Sequence, residues 1–299
     1  MKILDGRRSS DDMRKNTAEA ARALRRRGVR PCLAAILVGH NPASESYVAN
    51  KRRSAEACGI VSKMYRLPGR TTQGALETLI DKLNRQRSVH GILLQLPLPD
   101  HLDEEKALER ISPLKDVDGL HPENLGRLAA SRPRFVPCTP KGVIHLLDFY
   151  KVPIEGREVV VVGRSRLVGR PLAFLLINRH ATVTVCHSRT RRLAEVTRRA
   201  DILVAAAGRK HLLSARYVRP GAVVVDVGIH VDQSKDGRKV FSGDVAPSVR
   251  KVASALSPVP GGVGPETVAQ LLANTVVSAS IHLTPRHARS FRLAHLHRL

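Results

Sequence analysis

Tryptophan is absent, and aromatic residues of every kind make up only 3% of this 299-residue chain. That shortage argues against a surface that stacks nucleic-acid bases. Cysteine is scarce too: Cys32, Cys58, Cys138 and Cys186 lie far apart with no Cys-x-x-Cys pair. Neither a zinc site nor a disulfide framework is suggested, and reduced, packed thiols are expected. No apolar run approaches the ~20 residues of a membrane span. The start, Met1-Lys-Ile-Leu-Asp-Gly6, lacks the apolar core of a secretory signal. A cytoplasmic protein without a membrane partner is the expectation. Acids are short as well, with 26 Asp and Glu against 50 Lys and Arg, for a net charge of +24. This opens a nucleic-acid-binding reading. The scatter of the arginines over helix faces, and the lack of a zinc finger or aromatic strand motif, favour a solvated basic surface.

At 42% apolar content the chain can bury a substantial core, and its length suits two domains. The most informative stretch is Glu158-Val-Val-Val-Val-Gly163-Arg164-Ser165-Arg166-Leu-Val-Gly169-Arg170-Pro171. It reads as a buried parallel strand, a tight turn and a helix start. The amides at such a start suit a phosphate, although Gly-x-Ser-x-x-x-Gly is only a weak dinucleotide signal. The next strand, Ala181–Cys186, runs into His187-Ser188-Arg189-Thr190, where dinucleotide folds usually carry an acid for the ribose hydroxyls. This chain puts a hydroxyl and an arginine there, and Ser188, Arg189 and Arg164 could donate to a 2′-phosphate, which argues for NADP over NAD.

Along the rest of the chain, helical spacing predicts a helix over 13–27 ending at Gly28, and a strand over Leu33–Val38. Asn41 as N-cap and Pro42 announce a helix to about Ala57, carrying Tyr47 and Lys51 four apart on one face. A strand over Val61–Leu67 and a helix with Leu76, Leu79, Ile80 and Leu83 follow. Gln95 interrupts the apolar strand His90–Pro99, as either a site residue or a structural hydrogen bonder. Asp116 and Asp118 are turn formers or ligand contacts. Thr139 is expected to cap a helix running to Tyr150. Strands over Asp201–Ala207 and Gly221–Ile229 complete a mostly parallel, doubly wound α/β pattern. Ser257–Pro265 is too rich in glycine and proline for regular structure, and a last helix follows it. From His282 the tail has four arginines, four histidines and no acid; a disordered basic tail is expected there.

Six motifs in register carry a resemblance: Tyr47-x-x-x-Lys51; Gln95-Leu96-Pro97-Leu98-Pro99; Lys115-Asp-Val-Asp118-Gly119; Pro137-Cys-Thr-Pro140; Val162-Gly163-Arg-Ser165 with Val168-Gly169-Arg-Pro171; and Pro258-Val-Pro-Gly-Gly-Val-Gly-Pro265. Together they resemble the bifunctional methylenetetrahydrofolate dehydrogenase/methenyltetrahydrofolate cyclohydrolase family over residues 1 to about 280. The resemblance implies a folate/catalytic domain over 1–139 and a Rossmann-type NADP-binding domain over 140–264, with folate between them. A helix over 265–281 would return to the first domain, a tail would fill 282–299, and two chains would form a homodimer. It implies Lys51 as the catalytic lysine, Tyr47 as the ring stacked on folate, Gln95 as the lysine's partner and Asp118 as the carboxylate gripping the pterin. Leu94, Leu96, Pro260, Gly261, Gly262, Val263 and Gly264 match folate-site positions; Gly163, Arg164, Ser165, Ser188 and Ile229 match nucleotide contacts. No metal is implied. The expected activity is NADP-dependent oxidation of 5,10-methylenetetrahydrofolate followed by hydrolysis to 10-formyltetrahydrofolate. The alternatives are a nucleic-acid-binding protein on an enzyme-like scaffold, or a dehydrogenase with little cyclohydrolase activity. Glu266 departs from the family's usual methionine and raises the question of an acid facing an anionic folate.

Overall fold

A computed structural model describes residues 1–40, 42–233 and 239–281. The N-cap expected at Asn41 and the basic tail from His282 lie outside the described residues. The chain opens with β1 (Lys2–Ile3) and α1 (Gly6–Arg26). Helix α1 starts seven residues earlier than its apolar spacing predicts, for two reasons. The Asp5 carboxylate accepts the amide of Arg7 at 2.8 Å, as an N-terminal cap does, and the inward positions of the first turns are Ser9 and Ser10, both 0% exposed. Buried serines leave no hydrophobic signature.

The next elements are β2 (Cys32–Val38), α2 (Pro42–Ala57), β3 (Val61–Leu67), α3 (Gln73–Arg85), β4 (Gly91–Leu94), α4 (Glu104–Arg110) and α5 (Pro122–Ala129). The three strands form a parallel sheet in the order β3-β2-β4. Every residue of β2 is buried, as a central strand covered on both faces requires. Leu33 and Ala35 point into one cluster with Leu24, Val48 and Ala55, whereas Ala34, Ile36 and Val38 point into another with Leu76, Ile80 and Leu83 of α3. The two-residue alternation of a strand thus divides one apolar run between two layers.

Two charged side chains hold the loops of this unit from inside. The Lys115 ammonium, 5% exposed, donates to the carbonyls of Leu83, Asn84 and Gln86 at 2.9, 2.7 and 2.8 Å. It satisfies acceptors that the end of α3 leaves open. The Asp116 carboxylate, 2% exposed, accepts the amides of Gly119, Leu120 and His121 at 3.0, 3.1 and 2.8 Å and the Asn124 amide at 2.8 Å.

The remaining elements are α6 (Cys138–Phe149), β5 (Glu158–Val162), α7 (Gly169–Ile177), β6 (Thr182–Cys186), α8 (Leu193–Thr197), β7 (Ile202–Ala205), β8 (Val223–Asp226), β9 (His230–Gln233), β10 (Lys239–Ser242), β11 (Ala255–Leu256) and α9 (Val263–Ile281). A six-stranded parallel sheet runs β1-β11-β8-β7-β5-β6, with β9 and β10 as a separate antiparallel pair. Successive connections leave β5 for β6 on one side and return past it to β7 on the other. The strand order therefore reverses at the carboxyl end of β5, where doubly wound sheets bind ligands. Thr139 lies inside α6 and not at its cap, its hydroxyl 3.0 Å from that of Thr267. Helix α9 begins at Val263, so Gly264 and Pro265 belong to its first turn and not to the loop before it.

Among the described residues two compact units result, one from Met1–Ser10 with Thr139–Thr267, the other from Asp11–Cys138 with 268–281. Met1–Ser10 thus groups with the larger sheet, which β1 joins through β11. From Val268 onward α9 packs in the other unit, where Asn274 donates to the carbonyls of Val117 and Val136 at 2.9 and 3.3 Å.

Replacing Asp116 by Ala removes four acceptor contacts and leaves buried amides unpaired. At about 1–3 kcal/mol for each buried group left unsatisfied, the chain should lose on the order of 3 kcal/mol or more of stability. Urea denaturation checks this, and a loss below about 1 kcal/mol would refute the turn's dependence on that carboxylate.

Candidate active site

Tyr47 and Lys51 leave the same face of α2 one turn apart. Lys51 is 6% exposed. Its Nζ donates to Gln95 Oε1 at 3.0 Å and stands 4.5 Å from the centre of the Tyr47 ring. Gln95 lies one residue past β4, held by its main-chain amide on Ile36 O at 2.9 Å and by its side-chain Nε2 on Leu96 O at 2.7 Å. Because Nε2 is used on that carbonyl, Oε1 is the end offered to the lysine. The glutamine that is costly inside an apolar stretch thus has both ends of its amide engaged.

Burial pulls the Lys51 amine below its ordinary value, against the opposing influence of Asp118 and Cys138. Burial also pushes the Tyr47 phenol upward, helped by Asp118 and Cys138, so the ring remains neutral near pH 7. Asp118 is half-buried. Unlike Asp116, its carboxylate takes no hydrogen bond from the described residues, so the two acids part company: one builds the turn and the other does not. Leu94, 2% exposed, lies in the apolar core, and Leu96 packs partly against the same cluster. Leu94 therefore has main chain and not side chain to offer a ligand.

In the larger sheet, Gly163 follows β5 with φ +136°, and a Cβ there would strike Ala206 O; one on Gly169 would strike Gly163 O. Only glycine fits this turn. Arg164 and Ser165 are exposed on it, the Ser165 hydroxyl accepting the Val168 amide at 3.1 Å. β5 and β6 pair in register with Val162 opposite Cys186, and Gly163 N donates to Cys186 O at 2.8 Å. The loop bearing exposed Ser188 and Arg189 therefore leaves the sheet beside the Gly163 turn. Ile229, 62% exposed, follows β8 at the same edge.

The loop bearing Pro260, Gly261 and Gly262 is held by the chain start, since Gly6 N donates to Gly261 O at 2.8 Å. Val263 and Gly264 form the beginning of α9. Glu266 is 0% exposed and points inward, its carboxylate taking the Ser9 hydroxyl and facing His145 Nδ1 at 2.9 Å. The acid is thereby occupied within its own unit. Sequence spacing gave no hint of this trio, whose members come from α1, α6 and α9; only the departure at Glu266 drew attention to it. Among the described residues no group of His, Cys, Asp or Glu is placed to hold a metal ion, and no helix is long and apolar enough to cross a membrane.

Comparison with known proteins matches both halves of the chain. Residues 4–118 fit the tetrahydrofolate dehydrogenase/cyclohydrolase catalytic domain, and residues 137–283 fit the NAD(P)-binding domain of the same proteins. The bifunctional protein FolD of Ligilactobacillus salivarius is 50% identical over 275 residues, covering 92% of this chain and 95% of that one. The crystal structure of the bifunctional enzyme FolD from Campylobacter jejuni superposes with a TM-score of 0.90 at 47% identity, over 95% of this chain and 100% of that one. A Trypanosoma brucei FolD structure, complexed with NADP cofactor and inhibitor, gives 0.89 at 41% identity over 94% and 98% of the two chains. With identity of this order along nearly the whole length, the chain belongs to the tetrahydrofolate dehydrogenase/cyclohydrolase family.

Proposed function

We infer that this protein is an NADP-dependent enzyme that oxidises 5,10-methylenetetrahydrofolate to 5,10-methenyltetrahydrofolate and hydrolyses that product to 10-formyltetrahydrofolate. The observation that carries the reading is the buried Lys51 amine, held on Gln95 beside the Tyr47 ring in a family-matched catalytic unit.

The residues after β5 and β6 suit NADP. Ser188 and Arg189 stand exposed where an acid would repel a 2′-phosphate, and Arg164 adds a cation on the adjoining loop. In this reading Gly163 and Ser165 hold the dinucleotide by main chain and hydroxyl, and Ile229 offers it an apolar contact. When bound, NADP supplies the acceptor for the hydride. Loss of hydride from a carbon between two nitrogens leaves an amidinium-like cation, so this step asks the chain for alignment and not for a base. We assign that alignment to the Tyr47 ring against the folate, to the free carboxylate of Asp118 on the pterin, and to Leu94 and Leu96.

The hydrolytic step differs, because the attacking water must lose a proton. The Lys51 amine is the group we assign to take it, and only its neutral form can do so. Burial lowers its titration from the ordinary lysine range, and the cation of the methenyl substrate would lower it further. Gln95 holds the amine and fixes the direction in which it can accept.

Lys51→Met should cut hydrolysis of supplied methenyltetrahydrofolate by on the order of 10²–10⁴ while hydride transfer is largely retained. In the parent enzyme hydrolysis should climb with pH as Lys51 loses its proton, and hydride transfer should not follow that climb. Separate assays of NADPH formation and of methenyl decay read both steps; equal losses in the two would remove Lys51 from water activation. A second substitution tests the cofactor assignment. Ser188→Asp should move preference from NADP toward NAD, measured as the ratio of kcat/KM for the two, and an unchanged ratio would count against Ser188 as a 2′-phosphate contact.

A further inference from the structure

Outside these sites, the larger sheet buries two carboxylates that have no lysine or arginine partner among the described residues. Asp226 is 4% exposed and Asp244 0%. Their oxygens are held almost wholly by main chain. Asp226 accepts the amides of Gly228, Asp244 and Val245 at 3.0, 3.0 and 2.9 Å. Asp244 accepts those of Ala207 and Gly208 at 2.6 and 2.9 Å through Oδ2, and its Oδ1 faces His230 Nε2 at 2.9 Å. A Cβ on Gly228 would strike the Asp244 carboxylate, and one on Gly243 would strike that of Asp226. Both carboxylates therefore have a shaped place. Burial pushes Asp226 up to about 6 although its amide partners pull the other way, so the arrangement is kept at a cost in solvation.

What the arrangement fixes is the carboxyl edge of the sheet. Ala207 and Gly208 directly follow Ala206, whose carbonyl abuts Gly163 and whose amide donates to Val162 O at 2.8 Å. His230 directly follows Ile229. Asp244 thus grips the segment behind the Gly163 turn with one oxygen and the segment bearing Ile229 with the other.

We propose that Asp244 is a positioning residue for the dinucleotide, setting the Ala206–Gly208 and Ile229–His230 segments at the height the cofactor needs without touching it. The proposal rests on the NADP reading above. The bifunctional chemistry supplies its own control, because hydrolysis of supplied methenyltetrahydrofolate consumes no cofactor. In the full-length chain, Asp244→Asn should raise KM for NADP about tenfold or more while methenyl hydrolysis stays within about twofold of the parent, since misplacement of a contact by ~1 Å is enough for such losses. His230→Ala removes a single, partly exposed contact and should raise KM for NADP by about threefold, so the proposal remains testable where the aspartate variant folds poorly. An unchanged KM for NADP in His230→Ala, or parallel decline of both activities in the two variants, would overturn it. A parent enzyme that fails to reduce NADP with methylenetetrahydrofolate would instead show that the functional reading beneath it is at fault.

Discussion

Taking an amine out of water is the constraint on which the catalytic unit turns. A lysine at 6% exposure is tolerated only where something replaces its hydration. Here an amide oxygen, an aromatic face and the field of a nearby carboxylate do so. Each replacement fixes part of the fold: Tyr47 must sit one turn before Lys51, and Gln95 must emerge at the end of β4. The incomplete replacement is the useful part. The charged form is left less stable than in water, which makes the amine available as a proton acceptor.

A related tactic, a buried charge spent on main-chain groups, recurs elsewhere in the molecule. Lys115 closes the end of α3, Asp116 builds the turn before α5, and Asp226 and Asp244 gather the segments beyond β7 and β8. The chain is poor in acids overall, yet Asp116, Asp226, Asp244 and Glu266 are all buried. The surface is therefore more basic than the net charge of +24 alone conveys, because several acids stand inside as loop anchors while arginine covers the outside. In parallel sheets every strand delivers its loop to the same edge, and internal anchors are a way to hold many irregular segments there without lengthening the strands.

Much of this was legible in the residues. The Val159–Val162 run, the Gly163 turn and the strands that follow announced the doubly wound sheet, because continuous apolar runs and obligatory glycines are local signals. Tyr47 and Lys51 were legible as a pair because helical spacing alone places them together. Three features were not. The early start of α1 is hidden by buried serines, since burial without apolarity leaves no periodic trace. Residue type and spacing do not tell Asp116 from Asp118; only the family resemblance singled out Asp118, and the direction of each carboxylate gives the physical reason. Glu266 meets Ser9 and His145, residues more than a hundred positions away, and no local pattern could reveal that its charge turns inward.

Burial leaves the Lys51 amine easier to deprotonate than an ordinary lysine. This can be read directly by following the side-chain resonances of isotopically labelled lysines across pH, with Lys51→Met identifying the signal. A midpoint clearly below the ~10.4 of a free lysine is expected. A Lys51 midpoint at or above that value would contradict this lowering by burial.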